Sequence, residues 1–409
     1  MNLVILNDFG YINGGAAQVA INTALMMARK GHKVYYVYAV NPVDERLTQD
    51  ENIITISTNQ QDILRNTNQI KAILQGLWNR KSARVINELL LTLPIENTIF
   101  HIHGWTKALS HSSIYPAIKQ KYKIVLSMHD YFVSCPNGGF YNYQTQSICP
   151  LKALSPKCIL THCDSRSYSH KIWRVIRSLI QKHIVKIPAK IQHFISMSSL
   201  SSTIISPYLP PDANIHLLPS NIDIQKSDRI PVEKNHKFIA IGRLSPEKGF
   251  DLVAKAAKKA GVQIAFIGDG PEKLNLQNLN PQAEFYGWLS RDELFKFLKE
   301  ARCLIFSSKL YETQGLVISE AASLGIPGIV SDISAASESI KDQETGMLFR
   351  TNDLDGLTEK IIMMKDDELV NRLGMNAYNK YWIDQNTAES YTNKLENIFR
   401  NILNKENIS

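Results

Sequence analysis

Two glutamates, Glu312 and Glu320, frame the segment of the chain that is most informative about chemistry. Seven residues separate them. A buried strand is predicted at Cys303–Ser307, and Gly315 lies in the turn before the next predicted helix. The free backbone N–H groups of a helix start, together with the helix dipole, attract a phosphate or pyrophosphate. The two carboxylates are therefore expected on either side of a bound anion.

The spacing of the two acids also indicates what they do not do. Eight residues along a helix rise about 12 Å, whereas the paired carboxylates of glycoside hydrolysis lie roughly 5–9.5 Å apart. Glu312 and Glu320 are thus predicted to hold two ends of one extended ligand. A phosphate between two hydroxyl-bearing groups is typical of a nucleotide sugar. The ordinary alternative is that Glu312 is a loop charge and Glu320 a solvated helix position.

Two further motifs precede this segment, and together the three resemble a known family. Ile239–Gly249 contains a Gly-Arg-Leu…Lys-Gly element, and Ile267–Pro271 contains a Gly-x-Gly-Pro turn. With the E-x7-E segment and its Gly-Ile-Pro ending, they resemble the retaining GT-B glycosyltransferases of family 4. The resemblance covers essentially the whole chain and is looser in the first half. It implies an α/β fold with two Rossmann-like domains facing a central cleft, which closes to assemble the site.

The length and the apolar pattern agree with two domains of this kind. A chain of 409 residues is long enough for two or three separate cores. Strand-like runs alternate with amphipathic helix-length stretches, which favours parallel sheets; the runs are Leu3–Leu6, Val34–Val40, Ile124–Leu126, Phe238–Ile241 and Ile264–Ile267. We predict an acceptor-binding domain at 1–210 and a donor-binding domain at 211–385. A helix at 386–409 is expected to cross back to the first domain.

Charge is divided unevenly between the two halves of the chain. Residues 1–210 contain 22 Lys and Arg against 10 Asp and Glu, whereas residues 211–409 contain 24 against 28. Much of the excess lies at Arg166–Lys190, where seven cations alternate with apolar residues. Such a helix is able to lie on an anionic membrane surface; the ordinary alternative is a surface helix that buries its apolar side. No nucleic-acid recognition motif accompanies the charge.

Membrane spans and leader peptides are not predicted. No segment approaches 18 consecutive apolar residues. The chain enters a strand pattern directly after Met1, without a basic region of the kind that opens a signal peptide. We therefore expect a cytoplasmic protein that lies at most peripherally on the inner face of the cell membrane.

Four of the five cysteines lie within 29 residues, in a stretch from His129 to Ser165 that has little periodicity. A loop of this length inside a domain tends to be functional or cross-linked. Four thiolates are able to hold a structural zinc ion, with His162 as a replacement ligand, although no C-x2-C pair is present. Reduced thiols and disulfides are the alternatives. The candidate ligands are Cys135, Cys149, Cys158 and Cys163.

Candidate residues in the first half follow predicted strands. Gly14 and Gly15 precede a predicted helix and leave N–H groups for a ligand, and the resemblance implies that they face the donor diphosphate. His129 matches the family histidine that hydrogen-bonds the transferred sugar, and Asp130 is expected to orient it. Two further histidines end a neighbouring strand and are predicted to lie on the acceptor side; they are His101 and His103.

Arg243 and Lys248 are the predicted catalytic cations. Cleavage of a sugar–phosphate bond places negative charge on the departing diphosphate, and fixed cations stabilise that charge most in the transition state. No Asp-x-Asp cluster suggests a bound metal instead, so no catalytic cofactor is expected. The alternative is that both are surface charges after a strand.

The family resemblance also implies how the donor is held. Glu312 would contact the donor sugar, Gly315 and Leu316 the β-phosphate, Glu320 the ribose, and the backbone near Tyr286 the base. The remaining donor-loop residues are Gly242, Gly268 and Gly270. Two departures from the family pattern bear on the crevice and on sugar choice: Pro219–Asp223 has Asn221 where the family has glycine, and Thr313-Gln314 replaces a pair that ends in phenylalanine.

The predicted function is retaining transfer of a sugar from a nucleotide-diphosphate sugar to an acceptor hydroxyl. The suggested acceptor is a lipid-linked intermediate of a surface polysaccharide, such as an exopolysaccharide, a capsule or a lipopolysaccharide. A non-catalytic nucleotide-sugar-binding protein and a GT-B sugar-nucleotide epimerase remain alternatives. An NAD-dependent oxidoreductase would require the G-x-G-x-x-G fingerprint, which does not follow the first predicted strand.

Overall fold

The structure is a computed structural model that describes residues 1–220, 224–383 and 387–404. Contacts between residues divide it into two units. Unit 1 comprises the described parts of residues 1–138, 151–223 and 387–409. Unit 2 comprises those of residues 139–150 and 224–386.

Unit 1 is built on a parallel sheet. Its strands are β1 (Asn2–Leu6), β2 (Lys33–Tyr38), β3 (Ile53–Ser57), β4 (Thr98–Ile102), β5 (Lys123–Ser127), β8 (His193–Ser196) and β9 (Asn214–Leu217). They lie in the order β3-β2-β1-β4-β5-β8-β9, and every pair is parallel. The central strands β1 and β4 are buried along almost their whole length, as expected when helices cover both faces.

The helices of unit 1 connect successive strands, and one of them returns from the end of the chain. They are α1 (Gly15–Arg29), α2 (Glu45–Gln49), α3 (Gln69–Leu77), α4 (Arg80–Leu90), α5 (Tyr115–Lys119), α6 (Pro156–Leu160), α7 (Tyr168–Ile180), α8 (Ser199–Ile205) and α15 (Ala388–Asn404). A π-helical turn, Gln181–Val185, continues α7. Helix α15 packs against α1 and β4 through Tyr391, Leu395 and Phe399.

Unit 2 contains a second parallel sheet and a small antiparallel hairpin. The strands are β6 (Tyr141–Asn142), β7 (Ser147–Ile148), β10 (Lys237–Ile241), β11 (Ile264–Ile267), β12 (Glu284–Tyr286), β13 (Ala301–Phe306), β14 (Gly328–Ser331) and β15 (Gly346–Phe349). The parallel order is β12-β11-β10-β13-β14-β15, and β6 pairs with β7. The helices are α9 (Phe250–Ala260), α10 (Lys273–Leu279), α11 (Arg291–Leu298), α12 (Leu316–Ser323), α13 (Leu354–Met363) and α14 (Asp367–Ile383).

The predicted elements are confirmed. The two units differ from the predicted division of the chain at two places. All six predicted strands, including Cys303–Ser307, are present within about two residues. Strand β9 lies beyond the predicted boundary at 210/211 but pairs with β8 in the first sheet. The segment Gly139–Pro150, which carries the β6–β7 hairpin, packs with unit 2 although it interrupts the first half. Within the described parts of the chain, no helix is long and apolar enough to span a bilayer.

The strand order locates the edge of each sheet where a ligand is expected. In both parallel sheets the order reverses beside the first strand of the sheet, at β1 and at β10. Ligands of open parallel sheets bind outside the carboxyl ends of the strands at such a point. The loops that follow β1, β4 and β5 in unit 1, and β10, β11 and β13 in unit 2, therefore frame the candidate sites.

Candidate functional site

Glycines allow the loops after β10 and β11 to touch each other. A Cβ atom at Gly268 would lie 2.0 Å from the carbonyl oxygen of Gly242, and one at Gly270 would lie 2.3 Å from that of Leu244. Both glycines have positive φ angles, 134° and 158°. Backbone N–H groups complete the contact, since Leu244 donates to Asp269 at 2.9 Å. Side chains at these positions would separate the two loops.

Lys248 and Glu312 form an ion pair in unit 2. The Lys248 Nζ lies 2.6 Å from Glu312 Oε1, and Ser308 Oγ donates to the same oxygen at 2.7 Å. The loop of Lys248 is fixed by Gly249, where a Cβ would lie 2.2 Å from the Ser307 carbonyl oxygen. The ammonium side chain is one quarter exposed. The structure thus joins a cation and an acid that are 64 residues apart in the chain.

Arg243 is held by three partners around its guanidinium. It forms an ion pair with the buried Glu247, donates to Ser245 Oγ at 3.2 Å, and donates to the Tyr143 hydroxyl. Burial lowers its pKa, but the charge of Glu247 and the hydrogen bonds raise that pKa above its usual value overall. Tyr143 belongs to the hairpin segment 139–150, so a piece of the first half helps to orient this cation.

Helix α12 begins at Leu316, shortly after Glu312 in the sequence. Gly315 precedes it, and among the described residues no side chain caps this helix start. A Cβ at Gly315 would lie 2.4 Å from the Cβ of Ala336, so the turn packs tightly against a neighbouring segment. Glu320 is buried one turn further along the helix. The uncapped N–H groups have the geometry that binds an anion.

The backbone of Tyr286 contacts the loop that follows β11, and its side chain contacts other residues of unit 2. Its carbonyl oxygen accepts the N–H of Gly268 at 2.9 Å. Its hydroxyl donates to Glu284 at 2.6 Å, and its ring packs against Phe297. The neighbouring Trp288 is 71 % exposed. The Tyr286 ring is thus held by Glu284 and Phe297, and the exposed indole of Trp288 lies two residues away in the sequence.

Three histidines and a serine form a hydrogen-bonded chain in unit 1. Ser127 Oγ lies 2.8 Å from His101 Nε2, His101 Nδ1 lies 3.2 Å from His103 Nε2, and His103 Nδ1 lies 2.9 Å from His129 Nε2. A neutral imidazole has one donor and one acceptor nitrogen. The direction of the Ser127 hydroxyl therefore fixes the tautomer of all three rings, including that of His129.

Burial keeps these histidines neutral. It lowers the pKa of His101 to about 3 and that of His129 to about 4, and it lowers the pKa of His103 well below its usual value. A neutral His129 adds no charge to this edge of unit 1. This row of hydrogen bonds brings together three predicted site residues, which lie at the ends of two different strands.

Two carboxylates, the buried Asp8 and the partly buried Asp130, follow strands at the same edge of unit 1. Asp8 accepts three backbone N–H groups, from Lys107, Ala108 and Leu109, at 2.8–2.9 Å. Asp130 accepts the N–H of Phe132 at 3.0 Å. Burial raises the pKa of Asp130 to about 6. The predicted contact of Asp130 with His129 stays a prediction.

Gly14 and Gly15 lie at the N-terminus of α1. Helix α1 begins at Gly15, and Gly14 has a φ of 148°. No side chain in the described part of the chain caps this helix start. Both glycines are exposed, so the first N–H groups of α1 are open to a ligand.

Comparison with known proteins identifies the part of the chain that carries the unit 2 site. Residues 221–380 match the family described as glycosyl transferases group 1. The chain carries a glycosyl transferases group 1 domain. This domain contains Arg243, Lys248, Glu312 and Glu320, and it covers most of unit 2.

Similar whole proteins extend the comparison to the first half. Sucrose-phosphate synthase from Thermosynechococcus elongatus superposes with a TM-score of 0.72 at 16 % identity, over 98 % of both chains. The Anabaena protein HepE, in complex with UDP and glucose, superposes with a TM-score of 0.68 at 15 % identity, over 98 % of this chain and 99 % of HepE. The predicted GT-B fold is thus confirmed.

One curated relative is an Escherichia coli enzyme named UDP-Gal:alpha-D-GlcNAc-diphosphoundecaprenol alpha-1,3-galactosyltransferase. It is 29 % identical over 192 residues, which are 41 % of this chain. The chain spans about half the length of this relative, 49 %.

Several residues of the group 1 domain and of unit 1 were not singled out by sequence. Glu247 and Ser308 lie next to predicted residues, and polar side chains beside a motif are a usable signal. Asp8 directly follows a strand, which is a second such signal. Tyr143 offers none, because its contact with Arg243 joins residues 100 positions apart. The departure at Asn221 lies outside the described residues.

Three of the four candidate zinc ligands belong to unit 1, and a lysine lies beside two of them. Cys158 and Cys163 receive hydrogen bonds from the buried Lys171 Nζ at 3.7 and 3.3 Å, so the protein's own cation lies at these thiols. Cys149 groups with unit 2, whereas Cys135, Cys158 and Cys163 belong to unit 1. Within the described ranges, no three His, Cys, Asp or Glu side chains are arranged to hold a metal. The structural zinc site stays a prediction.

Proposed function

We propose that this protein is a retaining glycosyltransferase that moves a sugar from a nucleotide-diphosphate sugar to an acceptor hydroxyl. The observation that carries the proposal is the pairing of Arg243 and Lys248 with Glu247 and Glu312 at the carboxyl edge of β10. Cations that are already fixed by hydrogen bonds lose little freedom when they meet a diphosphate. The group 1 domain supports the same activity.

In this proposal the donor lies along unit 2. The N–H groups at Gly315 and Leu316 bind the β-phosphate, Glu320 holds the ribose, and the base lies against the backbone near Tyr286. Glu312 exchanges part of its contact with Lys248 for hydroxyls of the donor sugar. The glycines allow the loops after β10 and β11 to pack tightly against each other, and this packing leaves room for the diphosphate.

The reaction itself is a same-face displacement. The bond between the anomeric carbon and the leaving phosphate oxygen breaks, and the acceptor oxygen forms a bond to the same face of that carbon. The leaving phosphate takes the acceptor's proton, so the configuration is retained. Arg243 and Lys248 stabilise the charge that develops on the diphosphate, and we propose that they make a catalytic metal unnecessary.

Unit 1 supplies the group that contacts the transferred sugar. We assign that contact to His129, which is neutral in the buried chain of imidazoles. The hydrogen bonds that link His101, His103 and His129 set the tautomer of His129. Asp130 and the N–H groups near Gly14 and Gly15 complete the polar surface on this side. A hydroxyl of the acceptor and a hydroxyl of the sugar are the ligands that suit such a surface.

The acceptor that we propose is a lipid-linked saccharide of a surface polysaccharide, whether exopolysaccharide, capsule or lipopolysaccharide. The Escherichia coli relative is named for a diphosphoundecaprenol-linked substrate, and unit 1 holds the excess of cations. An acceptor of this kind is anchored in a membrane. The protein would accordingly work in the cytoplasm, at the inner face of the cell membrane.

The test is a transfer assay with UDP-, GDP-, ADP- and dTDP-sugars and a lipid-linked acceptor, with the free oligosaccharide as the control. We expect one donor to release its nucleoside diphosphate only when an acceptor is present, and NMR of the product to give the anomer of the donor. Binding of a donor without any transfer would point to a nucleotide-sugar-binding protein. Conversion of one sugar nucleotide into another without acceptor would point to an epimerase, and either result contradicts the proposal.

A further inference from the structure

Several apolar side chains of helix α7 are exposed to solvent, while two of its cations are buried. The described helix buries Lys171, Val175, Arg177 and Ser178. Ile172 and Ile176, one turn apart on the opposite side, are 45 % and 44 % exposed. Leu179 and Ile184 are also exposed, the latter within the π-helical turn. A surface helix ordinarily buries its apolar side, whereas this segment buries Val175 and leaves these four apolar residues exposed.

Partners inside unit 1 account for the buried cations. The Lys171 Nζ donates to Cys163 Sγ at 3.3 Å. The Arg177 guanidinium donates to the carbonyl oxygen of Thr106 at 3.1 Å and lies over the ring of Phe132, 5.0 Å from its centroid. A buried charge without such partners would be strongly unfavourable. The outward orientation of the isoleucines is therefore a built feature of the helix.

Helix α3 lies beside α7 and is apolar on its outer side as well. Its Ile70 and Leu74 are 72 % and 61 % exposed. The two helices pack where a Cβ at Gly76 would lie 2.4 Å from the ring of Trp173, whose indole N–H donates to the Ile73 carbonyl oxygen. We call this pair of helices, with their exposed apolar residues, the α3–α7 face.

The exposed charges of the α3–α7 face have one sign, because the acids next to it in sequence, Asp62 and Asp164, are buried. Neither residues 63–87 nor residues 165–211 contain an aspartate or a glutamate. Exposed cations border the apolar residues in sequence, and they are Arg65, Lys71, Arg166, Lys182, Lys186 and Lys190. Apolar side chains next to cations, without acids, complement a surface that offers phosphates above hydrocarbon.

We propose that the α3–α7 face docks on the anionic surface of a phospholipid bilayer, with its isoleucines and leucines inserted at the headgroup boundary. A second copy of this chain is a poorer occupant, because two identical faces would oppose cations to cations. The inference deepens the proposed function, since it brings the protein to a membrane-anchored acceptor. It does not require that transfer occurs.

The test is flotation of the full chain with vesicles of phosphatidylcholine alone and of phosphatidylcholine mixed equally with phosphatidylglycerol. We expect binding to the mixed vesicles that weakens as salt screens the charges. The double variant Ile172→Ser/Ile176→Ser should lose at least tenfold in affinity. Lys71→Ser/Arg166→Ser should lose about fivefold per cation. The matched control is Ile54→Ser/Ile362→Ser, which changes two isoleucines that are 40 % and 51 % exposed elsewhere.

The outcomes separate this inference from the proposed function. Equal binding of both vesicle types, no binding, or equal loss in the control variant would overturn it, as would dimers of the full chain that only the Ile172→Ser/Ile176→Ser variant abolishes. Melting temperatures of the variants verify that they fold. Donor turnover with a soluble acceptor should be unchanged in the face variants. Vesicle binding without turnover would leave this inference standing and contradict the proposed function.

Discussion

Removal of the Lys248 ammonium should slow glycosyl transfer far more than it destabilises the protein. Lys248 lies 2.6 Å from Glu312 and is one quarter exposed, so it is only partly solvated. A partly buried pair of this kind contributes about 1 kcal/mol or less to the free energy of unfolding. Lys248→Ala is therefore expected to fold with a nearly unchanged melting temperature.

The expected loss of rate follows from the charge that develops on the leaving diphosphate. An ammonium about 4 Å from one unit of new charge contributes about 4 kcal/mol at an effective dielectric constant of 20. Charge development is incomplete in the transition state, which leaves about 3–4 kcal/mol. This corresponds to a decrease of about 10²–10³-fold in kcat.

The assay is release of the nucleoside diphosphate from the preferred donor at saturating acceptor. The matched control is Lys259→Ala, which breaks another ion pair of 2.6 Å in the same unit, between Lys259 and the exposed Asp355. We expect kcat of this control to equal that of the wild type. Donor binding by Lys248→Ala, measured separately, should weaken much less than kcat falls, because the ammonium acts mainly in the transition state.

Two results would refute this reasoning. The first is a kcat of Lys248→Ala within about threefold of the wild type, which would mean that the ammonium does not meet the developing charge. The second is a similar decrease in Lys259→Ala, which would trace the loss to general destabilisation.

Three further predictions concern the loops and the buried groups. Gly268→Ala should lower the free energy of unfolding of unit 2 by about 2 kcal/mol or more, because its Cβ would meet a carbonyl oxygen at positive φ; chemical denaturation should place Gly287→Ala, where the space is open, within about 0.5 kcal/mol of the wild type. Tyr143→Phe removes a hydrogen bond to Arg243 and should lower kcat/KM about tenfold, whereas Tyr378→Phe, which removes a bond to a backbone carbonyl oxygen in the same unit, should not. Burial raises the pKa of Asp130 to about 6, so above that pH the folded protein carries an unfavourable ionised carboxylate, and below about pH 4 the folded and unfolded forms are both protonated. Denaturation curves should therefore find Asp130→Asn more stable than the wild type at pH 7–8, by up to about 3 kcal/mol, with a difference that disappears near pH 4; a constant difference across pH would contradict the assignment.

Sequence predicted the fold well because its strands are buried on both faces. Runs such as Phe238–Ile241 and Ile264–Ile267 are apolar throughout, and their short length with isoleucine and phenylalanine favours a buried strand over a helix. The start of α12 at Leu316 was equally predictable, because Gly315 and the apolar positions after it change the period. The prediction of these elements depended on the local sequence pattern alone.

The candidate site was predictable only where its residues follow strands directly. His129 does so in unit 1 and Arg243 in unit 2, and within each unit the loops converge because the parallel strands of one sheet share a carboxyl edge. The chain from His129 through His103 to His101 depends on side-chain directions across two strands, which periodicity does not specify. The contact of Tyr143 with Arg243 depends on a long-range packing choice of the hairpin segment.

Helix α7 illustrates why a pattern does not fix orientation. Its sequence is amphipathic, and hydrophobicity alone would bury Ile172 and Ile176. The structure buries Lys171 and Arg177 instead, because thiol, carbonyl and aromatic partners are available to them inside unit 1. Partners of this kind come from distant parts of the chain, so the helix sequence carries no record of them.

The most direct test of the central claim, a nucleotide-sugar site in unit 2, is a thermal-shift panel of UDP, GDP, ADP, dTDP and their sugars. A ligand that binds only the folded protein raises its melting temperature with concentration. At a hundredfold excess over Kd, it adds about 2.7 kcal/mol to the free energy of unfolding. We predict that one nucleotide stabilises the protein selectively and that Glu320→Ala loses this effect while it keeps the unliganded melting temperature within a few degrees. Stabilisation by none of the nucleotides, or stabilisation that persists undiminished in Glu320→Ala, would contradict the site.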